Sequence, residues 1–344
     1  MRTGTAAAWE SLTEQQRHRW ARVLDLLADA VPAGAAVVID GPGADAALVA
    51  DRLAATLRAR GRACARLADE DPQGEERTPG SVVIGAGPRR RDDPPAGGWD
   101  VVVRLRTALG RTGGRRGDDA DIAVDLHDPA WPVIRHIAAH LTGQASWYAT
   151  ESAAFFAARA ATWDTRFGDD LPAYAAAVAD AQLPVGGTVV DVGCGTGRAL
   201  PALRDAVGAA GTVLGVDLTP QMLDAARARA DACRAALVLA DARYLPFGAA
   251  AVDAVFAAGL LTHLPDAGAG LRELARVTRA GGRLVLFHPS GRAALAARHG
   301  RTLRPDEPLS EGPLRDACAG AGWRLARYDD AAHRFLAVAR RLAS

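Results

Sequence analysis

Hydrophobic residues recur at two different spacings along this chain. Short runs of apolar and β-branched residues, such as Ala36-Val-Val-Ile-Asp40 and Thr212-Val-Leu-Gly-Val-Asp217, predict buried strands. Residues 12–30 instead carry apolar side chains every three or four positions, which predicts an amphipathic helix with Ser11 as its cap. Strands that alternate with helices in this way indicate an α/β protein with mainly parallel sheets.

The alternation is regular in the C-terminal half. Five strands are predicted there, at residues 189–192, 212–217, 237–241, 252–256 and 283–287. Residues 151–166 and 271–277 are expected to be helical, and Gly281 is the expected C-terminal stop of the second helix. Residues 323–328 and 334–339 alternate as two strands joined by a polar loop.

The first strand of this half runs into a glycine-rich loop. Asp191-Val-Gly-Cys-Gly-Thr-Gly197 lets the backbone approach a ligand closely, because glycine has no Cβ. The next strand ends at Asp217, whose carboxylate could accept both hydroxyls of a ribose. The dinucleotide fingerprint has its third glycine one place later, where this chain has Arg198. The pattern predicts a nucleoside-bearing ligand and disfavours, without excluding, a nicotinamide dinucleotide.

These motifs resemble those of the class I S-adenosylmethionine-dependent methyltransferases, over about 190 residues from Ser152 onward. The resemblance implies a doubly wound, seven-stranded Rossmann-like sheet with an antiparallel last strand and a closing antiparallel hairpin. It implies S-adenosylmethionine as cofactor and methyl transfer to a small-molecule acceptor by in-line displacement. Asp191 and the glycine loop would hold the methionine portion, Asp217 the ribose, and Leu218, Asp241 and Ala242 the adenine. The full set of implied cofactor-binding residues is Asp191, Gly193, Cys194, Gly195, Gly197, Asp217, Leu218, Met222, Asp241, Ala242 and Ala257.

Two histidines are candidates for a general base. His263 and His288 follow the fourth and fifth strands, and ligands of open α/β sheets bind outside that edge. His263 could equally position its loop, and proximity alone can support methyl transfer, so the need for a base is left open. Asp164 and Asp266 are weaker candidates, for which helix capping or solvent exposure is the alternative. No His, Asp or Glu cluster has metal-ligand spacing, so no metal is expected.

Aromatic residues concentrate just before the glycine loop, although they form only 5% of the chain. In similar methyltransferases this segment forms a lid over cofactor and acceptor, and ordinary helix packing is an equally good interpretation. A lid would suit a mid-sized, partly apolar acceptor. The residues concerned are Phe155, Phe156, Trp163, Phe167 and Tyr174.

The first 142 residues predict a separate α/β domain. The strand at residues 36–40, the loop Gly41-Pro-Gly43 and the helix that follows resemble the opening of a P-loop nucleoside kinase, and later strands resemble those of uridine-kinase-like proteins. Phosphoryl transfer on that scaffold needs a loop lysine and a following Ser or Thr, but this loop has Ala46, Ala47 and Leu48 and the chain has no lysine. We therefore expect a degenerate, non-catalytic domain that serves as scaffold, dimerisation module or substrate-site cover.

Length and composition indicate the number of domains and the cellular compartment. The 344 residues suggest two domains, 1–142 and 143–344, the latter with a helical lid or linker at 143–185 and a catalytic core at 186–344. A net charge of +1 argues against nucleic-acid and acidic-membrane binding, and the absence of long apolar runs and of a signal peptide predicts a cytoplasmic protein. The arginine-only, alanine-rich composition suggests a GC-rich bacterial gene. A homodimer is left open.

Two other classes of function are left open by the sequence. One is a nicotinamide-dependent oxidoreductase, against which Arg198 and the closing hairpin speak. The other is a non-enzymatic regulator whose two domains sense nucleotides. The four cysteines, Cys64, Cys194, Cys233 and Cys318, fall at no metal-ligand or disulfide spacing, and a catalytic role for Cys194 is not expected.

Overall fold

The structure is a computed structural model that describes residues 11–67, 80–107, 120–142, 146–298 and 302–343, except for the side chain of Phe167. The chain divides into two compact units, Met1–Glu151 and Ser152–Ser344. The domain boundary expected after residue 142 stays a prediction. The side chain of Phe167, named above for the lid, lies outside the described residues.

The first unit is built on a six-stranded sheet in the order β2-β3-β1-β4-β5-β6. Neighbouring strands are parallel except for β5 and β6. The strands are β1 Ala36–Asp40, β2 Cys64–Arg66, β3 Val82–Ala86, β4 Val101–Arg106, β5 Ile122–Asp125 and β6 Val133–Ile137, and the helices are α1 Glu14–Ala30, α2 Gly43–Ala59 and α3 Pro88–Asp92. The apolar runs form the strands because both faces of a parallel sheet are covered.

Helix α1 begins at a different cap from the one expected. Thr13 is the N-cap, since its hydroxyl accepts a hydrogen bond from the Gln16 amide and the Gln16 side chain accepts one from the Thr13 amide. The prediction of Ser11 was therefore wrong. The Thr-x-x-Gln pair satisfies two amide groups at once, which a lone serine two residues earlier cannot do.

The second unit contains a seven-stranded sheet in the order β12-β13-β11-β10-β7-β8-β9. The last strand, β13, is antiparallel to both of its neighbours, and all other pairs are parallel. The strands are β7 Thr188–Val192, β8 Thr212–Asp217, β9 Ala236–Leu239, β10 Val252–Ala258, β11 Thr278–His288, β12 Trp323–Ala331 and β13 Arg334–Arg341. The predicted closing hairpin and the Rossmann-like arrangement of parallel strands are present.

Helices precede and alternate with these strands. They are α4 Ser146–Ala157, which begins in the first unit, α5 Trp163–Phe167, α6 Leu171–Ala181, α7 Leu200–Val207, α8 Pro220–Cys233, α9 Ala267–Val277, α10 Arg292–Arg298 and α11 Glu311–Gly320. Helices α6, α7 and α8 pack in succession, and α9 packs against α11. The core between α6, α7 and the sheet contains Val189, Leu200, Leu203, Phe256 and Phe287.

Two element boundaries differ from the sequence expectation. The helix expected over residues 151–166 is broken, because α4 ends at Ala157 and a 3-10 turn, Ala160–Thr162, precedes α5. Helix α9 ends at Val277, and β11 begins at Thr278, whose hydroxyl donates to the Leu274 carbonyl at 2.7 Å. Gly281 therefore does not stop the helix. It lies in β11 with a φ of +75°, where the β10–β11 register is irregular.

Candidate functional site

The glycine-rich loop follows β7 at the carboxyl edge of the sheet. The Gly193 and Cys194 amides donate to the Val216 carbonyl at 2.8 and 2.9 Å, so the loop is held against the end of β8. Gly195 and Gly197 have φ values of +52° and +78°, which disfavour any other residue. A Cβ on Gly197 would lie 2.9 Å from Leu200, whereas a Cβ on Gly195 would meet no atom within 4 Å. Gly197 thus permits helix packing, and Gly195 exposes its backbone to open space.

Asp217 fixes the loop from the neighbouring strand. One carboxylate oxygen accepts the Gly195 amide at 2.9 Å, and the other accepts the Thr219 amide at 2.8 Å. Burial raises the pKa of this carboxyl group, and the backbone hydrogen bonds oppose that rise. Each oxygen can still accept a further hydrogen bond, so the pair can meet a diol such as a ribose.

Asp191 is the most unusual ionisable group of this edge. It is 2% exposed, and its Oδ1 has no hydrogen-bond partner among the residues that the structure describes. Burial and the neighbouring Asp217 carboxylate raise the pKa of Asp191 to about 8. A buried carboxylate oxygen without a partner fits a cationic ligand group, such as the ammonium of a bound amino acid. The residues present thus fit the methionine portion of S-adenosylmethionine.

The residues expected around an adenine follow β8 and β9. Asp241 lies close to Asp217, since the Ala240 amide donates to the Asp217 carbonyl at 3.0 Å. Its carboxylate is paired with the Arg243 guanidinium at 2.7 Å, a contact that the sequence pattern did not predict. The remaining members of this group are the half-buried Leu218 and the buried Met222, Ala242 and Ala257.

Cys194 contributes its backbone rather than its thiol to this edge. Its sulfur lies 3.1 Å from where a Gly215 Cβ would be, which places the side chain against β8. Burial, together with the charges of Asp191 and Asp217, raises the pKa of the thiol well above its usual range. A thiolate is therefore disfavoured at neutral pH.

Three of the expected lid residues form one aromatic cluster with His263. The centroid of the Phe156 ring lies 5.0 Å from that of Phe155 and 5.8 Å from that of Trp163. It lies 5.3 Å from the centroid of the His263 ring, which is nearly perpendicular to it. His263 sits in a 3-10 turn, Leu261–His263, just after β10. The aromatic segment thus packs over the loop that follows the fourth parallel strand of this unit.

Tyr174 lies elsewhere, in the core. Its ring is 4.9 Å from Phe287 and 6.3 Å from Phe256, which are both buried. Burial raises the pKa of its hydroxyl, and the Asp170 and Asp191 carboxylates add to that rise. Of the five aromatic residues, Tyr174 therefore shows the contacts of ordinary helix packing.

A pocket opens beyond the ends of β10 and β11. Its walls are mainly apolar, and His288, Ser290 and Arg292 supply polar groups. The His288 Nδ1 lies 3.0 Å from both the amide and the carbonyl of Ser290, which fixes the ring. The apolar walls include Ala257, Leu260, Leu286, Phe287, Leu295 and Phe335.

Neither weaker aspartate candidate is arranged as a base. Asp266 is the N-cap of α9 and accepts the Ala269 amide at 2.9 Å. Asp164 accepts from the Thr196 hydroxyl at 2.7 Å and pairs with Arg229 at 2.6 Å. Burial raises the pKa of Asp164, but those two partners outweigh it and hold the pKa below its ordinary value.

In the described ranges there is no group of three or more His, Cys, Asp or Glu that could hold a metal ion. None of the helices described there is both long and apolar enough to cross a membrane.

The region around the glycine loop is similar to known proteins. Residues 190–286 match a family model described as a methyltransferase domain. Methyltransferase GfsG of Streptomyces halstedii is 38% identical over 109 residues, which cover 30% of this chain and 38% of the relative. The 27-O-demethylrifamycin SV methyltransferase of Amycolatopsis mediterranei is 37% identical over 108 residues, covering 30% and 39%. A solved S-adenosylmethionine-dependent methyltransferase from Aquifex aeolicus is 25% identical with a TM-score of 0.40, covering 47% of this chain and 86% of its own.

These similarities concern only part of each protein. The chain spans between 30% and 54% of the length of the first three curated relatives. The match nevertheless includes the glycine loop, Asp217 and Asp241, which are the polar groups of the carboxyl edge. Over residues 190–286 the chain is therefore similar to methyltransferases.

Proposed function

We propose that this protein transfers a methyl group from S-adenosylmethionine to a small organic acceptor. The observation that carries the proposal is the buried Asp191 carboxylate, whose Oδ1 has no partner among the described residues, beside a glycine loop fixed by Asp217. The Asp191 carboxylate can bind a cationic group and the Asp217 carboxylate can bind a diol, and S-adenosylmethionine has both groups. A nicotinamide dinucleotide has no ammonium group to pair with Asp191.

Each polar group at the edge has a defined part in this proposal. Asp191 and the loop amides hold the methionine portion, Asp217 accepts the ribose hydroxyls, and Asp241, oriented by Arg243, faces the adenine. The bound cofactor supplies an electrophilic methyl group on its sulfonium. The protein then needs chiefly to align the acceptor with that group and to keep water away from it.

The pocket beyond β10 and β11 is our candidate acceptor site. Mainly apolar walls with a few polar groups suit a small organic molecule. Relatives of the domain include methyltransferases named for demethylmenaquinone and aklanonic acid, which are small molecules. We propose an acceptor of that size class, with apolar surface against Leu286, Phe287 and Phe335.

His288 is better placed than His263 to accept a proton from such an acceptor. His288 lines the pocket, and in the tautomer whose Nδ1–H donates to the Ser290 carbonyl, Nε2 is the nitrogen that accepts a proton. His263 packs edge-on against Phe156, which suits a role in positioning the loop. A hydroxyl acceptor would give its proton to His288 as the methyl group is transferred.

The N-terminal unit is proposed to be a degenerate P-loop domain without phosphoryl-transfer chemistry. Strand β1, the Gly41-Pro42-Gly43 loop and helix α2 follow each other as in a P-loop, which supports the resemblance. Asp45 stands in the first turn of α2 and disfavours phosphate at that helix end. Scaffolding, dimerisation or covering of the substrate site remain its proposed uses.

A transfer assay tests the proposed function. The full chain is incubated with S-adenosylmethionine carrying a deuterated methyl group and with a panel of hydroxylated aromatic compounds and quinols. We expect acceptor-dependent formation of S-adenosylhomocysteine and the mass gain of one deuterated methyl group in the product. Magnesium-dependent ATP hydrolysis would contradict the non-catalytic N-terminal unit. Hydride transfer from a nicotinamide cofactor would support the oxidoreductase alternative.

A further inference from the structure

The segment before α6 is bound to the cofactor loop through Thr196. Its hydroxyl donates to one oxygen of Asp164 in α5 at 2.7 Å, and its carbonyl accepts from Arg229 at 2.9 Å. Arg229 also pairs with the other oxygen of Asp164 at 2.6 Å. Three elements, the glycine loop, α5 and α8, thus meet in one closed polar contact.

Arg198 makes a second connection between the same two segments. Its side chain is 6% exposed, and its guanidinium lies 3.0 Å from the Asp170 carboxylate and 3.6 Å from that of Asp164. It also donates to the Gly168 carbonyl. The residue that stands at the third-glycine position of a dinucleotide fingerprint is therefore directed at residues 164–170.

Residues 155–170, here called the cover segment, continue from this contact to the acceptor side. Trp163, next to Asp164, packs on Phe156, and Phe156 meets the His263 ring. Polar contacts at one end and aromatic contacts at the other thus join the cofactor loop to the loop after β10. Removing the Asp164 carboxylate leaves the buried Arg198 guanidinium with one carboxylate, that of Asp170, so the contact favours one arrangement of the segment.

We infer that Asp164, Asp170 and Arg198 are positioning residues that couple the cover segment to cofactor binding. This inference rests on the proposed function. A ligand that orders residues 193–197 also orders the cover segment, because Thr196 lies in this loop, Arg198 directly follows it, and both contact the cover segment. The coupling is reciprocal, so loosening the segment weakens cofactor binding by the same factor.

Amide hydrogen exchange on the full chain, with S-adenosylhomocysteine as the probe, tests the coupling. In the natural protein we expect the ligand to slow exchange of the cover segment about tenfold, a typical size for coupling between sites. Asp164→Asn, which keeps the size of the side chain but removes its charge, should abolish most of this slowing and raise the Kd about tenfold. Asp224→Asn is the matched control, because the Asp224–Arg227 pair is similarly close at 2.8 Å but 69% and 67% exposed.

A second pair of variants keeps the test decisive if Asp164→Asn folds poorly. Thr196→Ser retains the hydroxyl and should retain the ligand-dependent slowing, whereas the isosteric Thr196→Val should lose it. A merely structural role would change exchange equally with and without ligand. Ligand protection of residues 191–197 without any in the cover segment would refute the coupling alone. A natural protein that does not bind S-adenosylhomocysteine at all would refute the proposed function.

Discussion

The affinity of this site for S-adenosylhomocysteine should rise with pH, because Asp191 must lose a proton to pair with the ligand's ammonium group. The pKa of Asp191 is raised from 3.8 to about 8 by burial and by Asp217. At about 1.4 kcal/mol per pH unit, this shift means that the folded protein disfavours the ionised carboxylate, relative to water, by on the order of 6 kcal/mol. At pH 7 roughly nine molecules in ten would carry the proton before the ligand binds.

Calorimetry in two buffers of different ionisation enthalpy measures the effect. We expect close to one proton released per ligand bound at pH 7, and a Kd that falls about tenfold per pH unit between pH 6 and 7.5 before levelling near pH 8. Asp191→Asn should remove the pH dependence and weaken binding at pH 8 by about 1.5–3 kcal/mol, the value of a hydrogen bond to a charged group. A constant Kd over this range, with no proton released, would show that Asp191 is already ionised before the ligand binds.

The same group links stability to pH in the unliganded protein. The pKa of Asp191 is higher in the folded chain than in the unfolded one, so its protonated form stabilises the fold. That contribution is complete below about pH 4 and is lost as the pH rises towards 8. The melting temperature of the natural protein should therefore fall over this interval more steeply than that of Asp191→Asn.

Three further tests concern the glycine loop, a buried ion pair and the wall of the pocket. Gly195→Ala should cost about 1 kcal/mol of stability, from backbone strain alone, and should impair S-adenosylhomocysteine binding. Gly197→Ala adds a steric clash to that strain and should unfold at a lower urea concentration. Equal effects of the two variants on unfolding would contradict the geometry. Arg19→Met leaves the fully buried Glu151 without its main cation and should lower the free energy of unfolding by about 3–5 kcal/mol, measured in urea, with Arg22, half exposed, as the weaker control site. Arg292→Met should increase proteolysis around the pocket, because Arg292 pairs there with Glu307 and Asp330. The Kd for S-adenosylhomocysteine should stay within about twofold, since these contacts do not involve the glycine loop. A large loss of cofactor affinity would contradict the independence of the pocket wall and the glycine loop.

Much of the second unit's fold could be predicted because its strands are buried runs of apolar residues. Such runs give a strong local signal, and the alternating pattern at residues 323–328 and 334–339 correctly predicted the two strands there. The end of α9 was predicted wrongly because Gly281 is a strong stop signal in sequence, while Thr278 is already extended in the structure. Strand pairing with β10 decides that boundary, and pairing is not visible in a local pattern.

The polar contacts of the site depend on residues far apart in sequence. Arg198 reaches Asp170 across 28 positions, and Asp164 meets Arg229 from another helix. In the sequence, Arg198 indicated only that a dinucleotide was disfavoured. The orientation of Tyr174 towards Phe256 and Phe287 likewise follows from how α6 packs on the sheet, which periodicity does not specify.

Calorimetric titration with S-adenosylhomocysteine, NAD and ATP tests the central proposal most directly. S-adenosylhomocysteine should bind with one-to-one stoichiometry, and Asp217→Ala should weaken that binding at least about tenfold, because a hydrogen-bonded carboxylate is lost. NAD and ATP should give no heat of binding. No binding of S-adenosylhomocysteine at about 1 mM, the range of the weakest specific complexes, or tighter binding of NAD to the same site, would contradict the proposal.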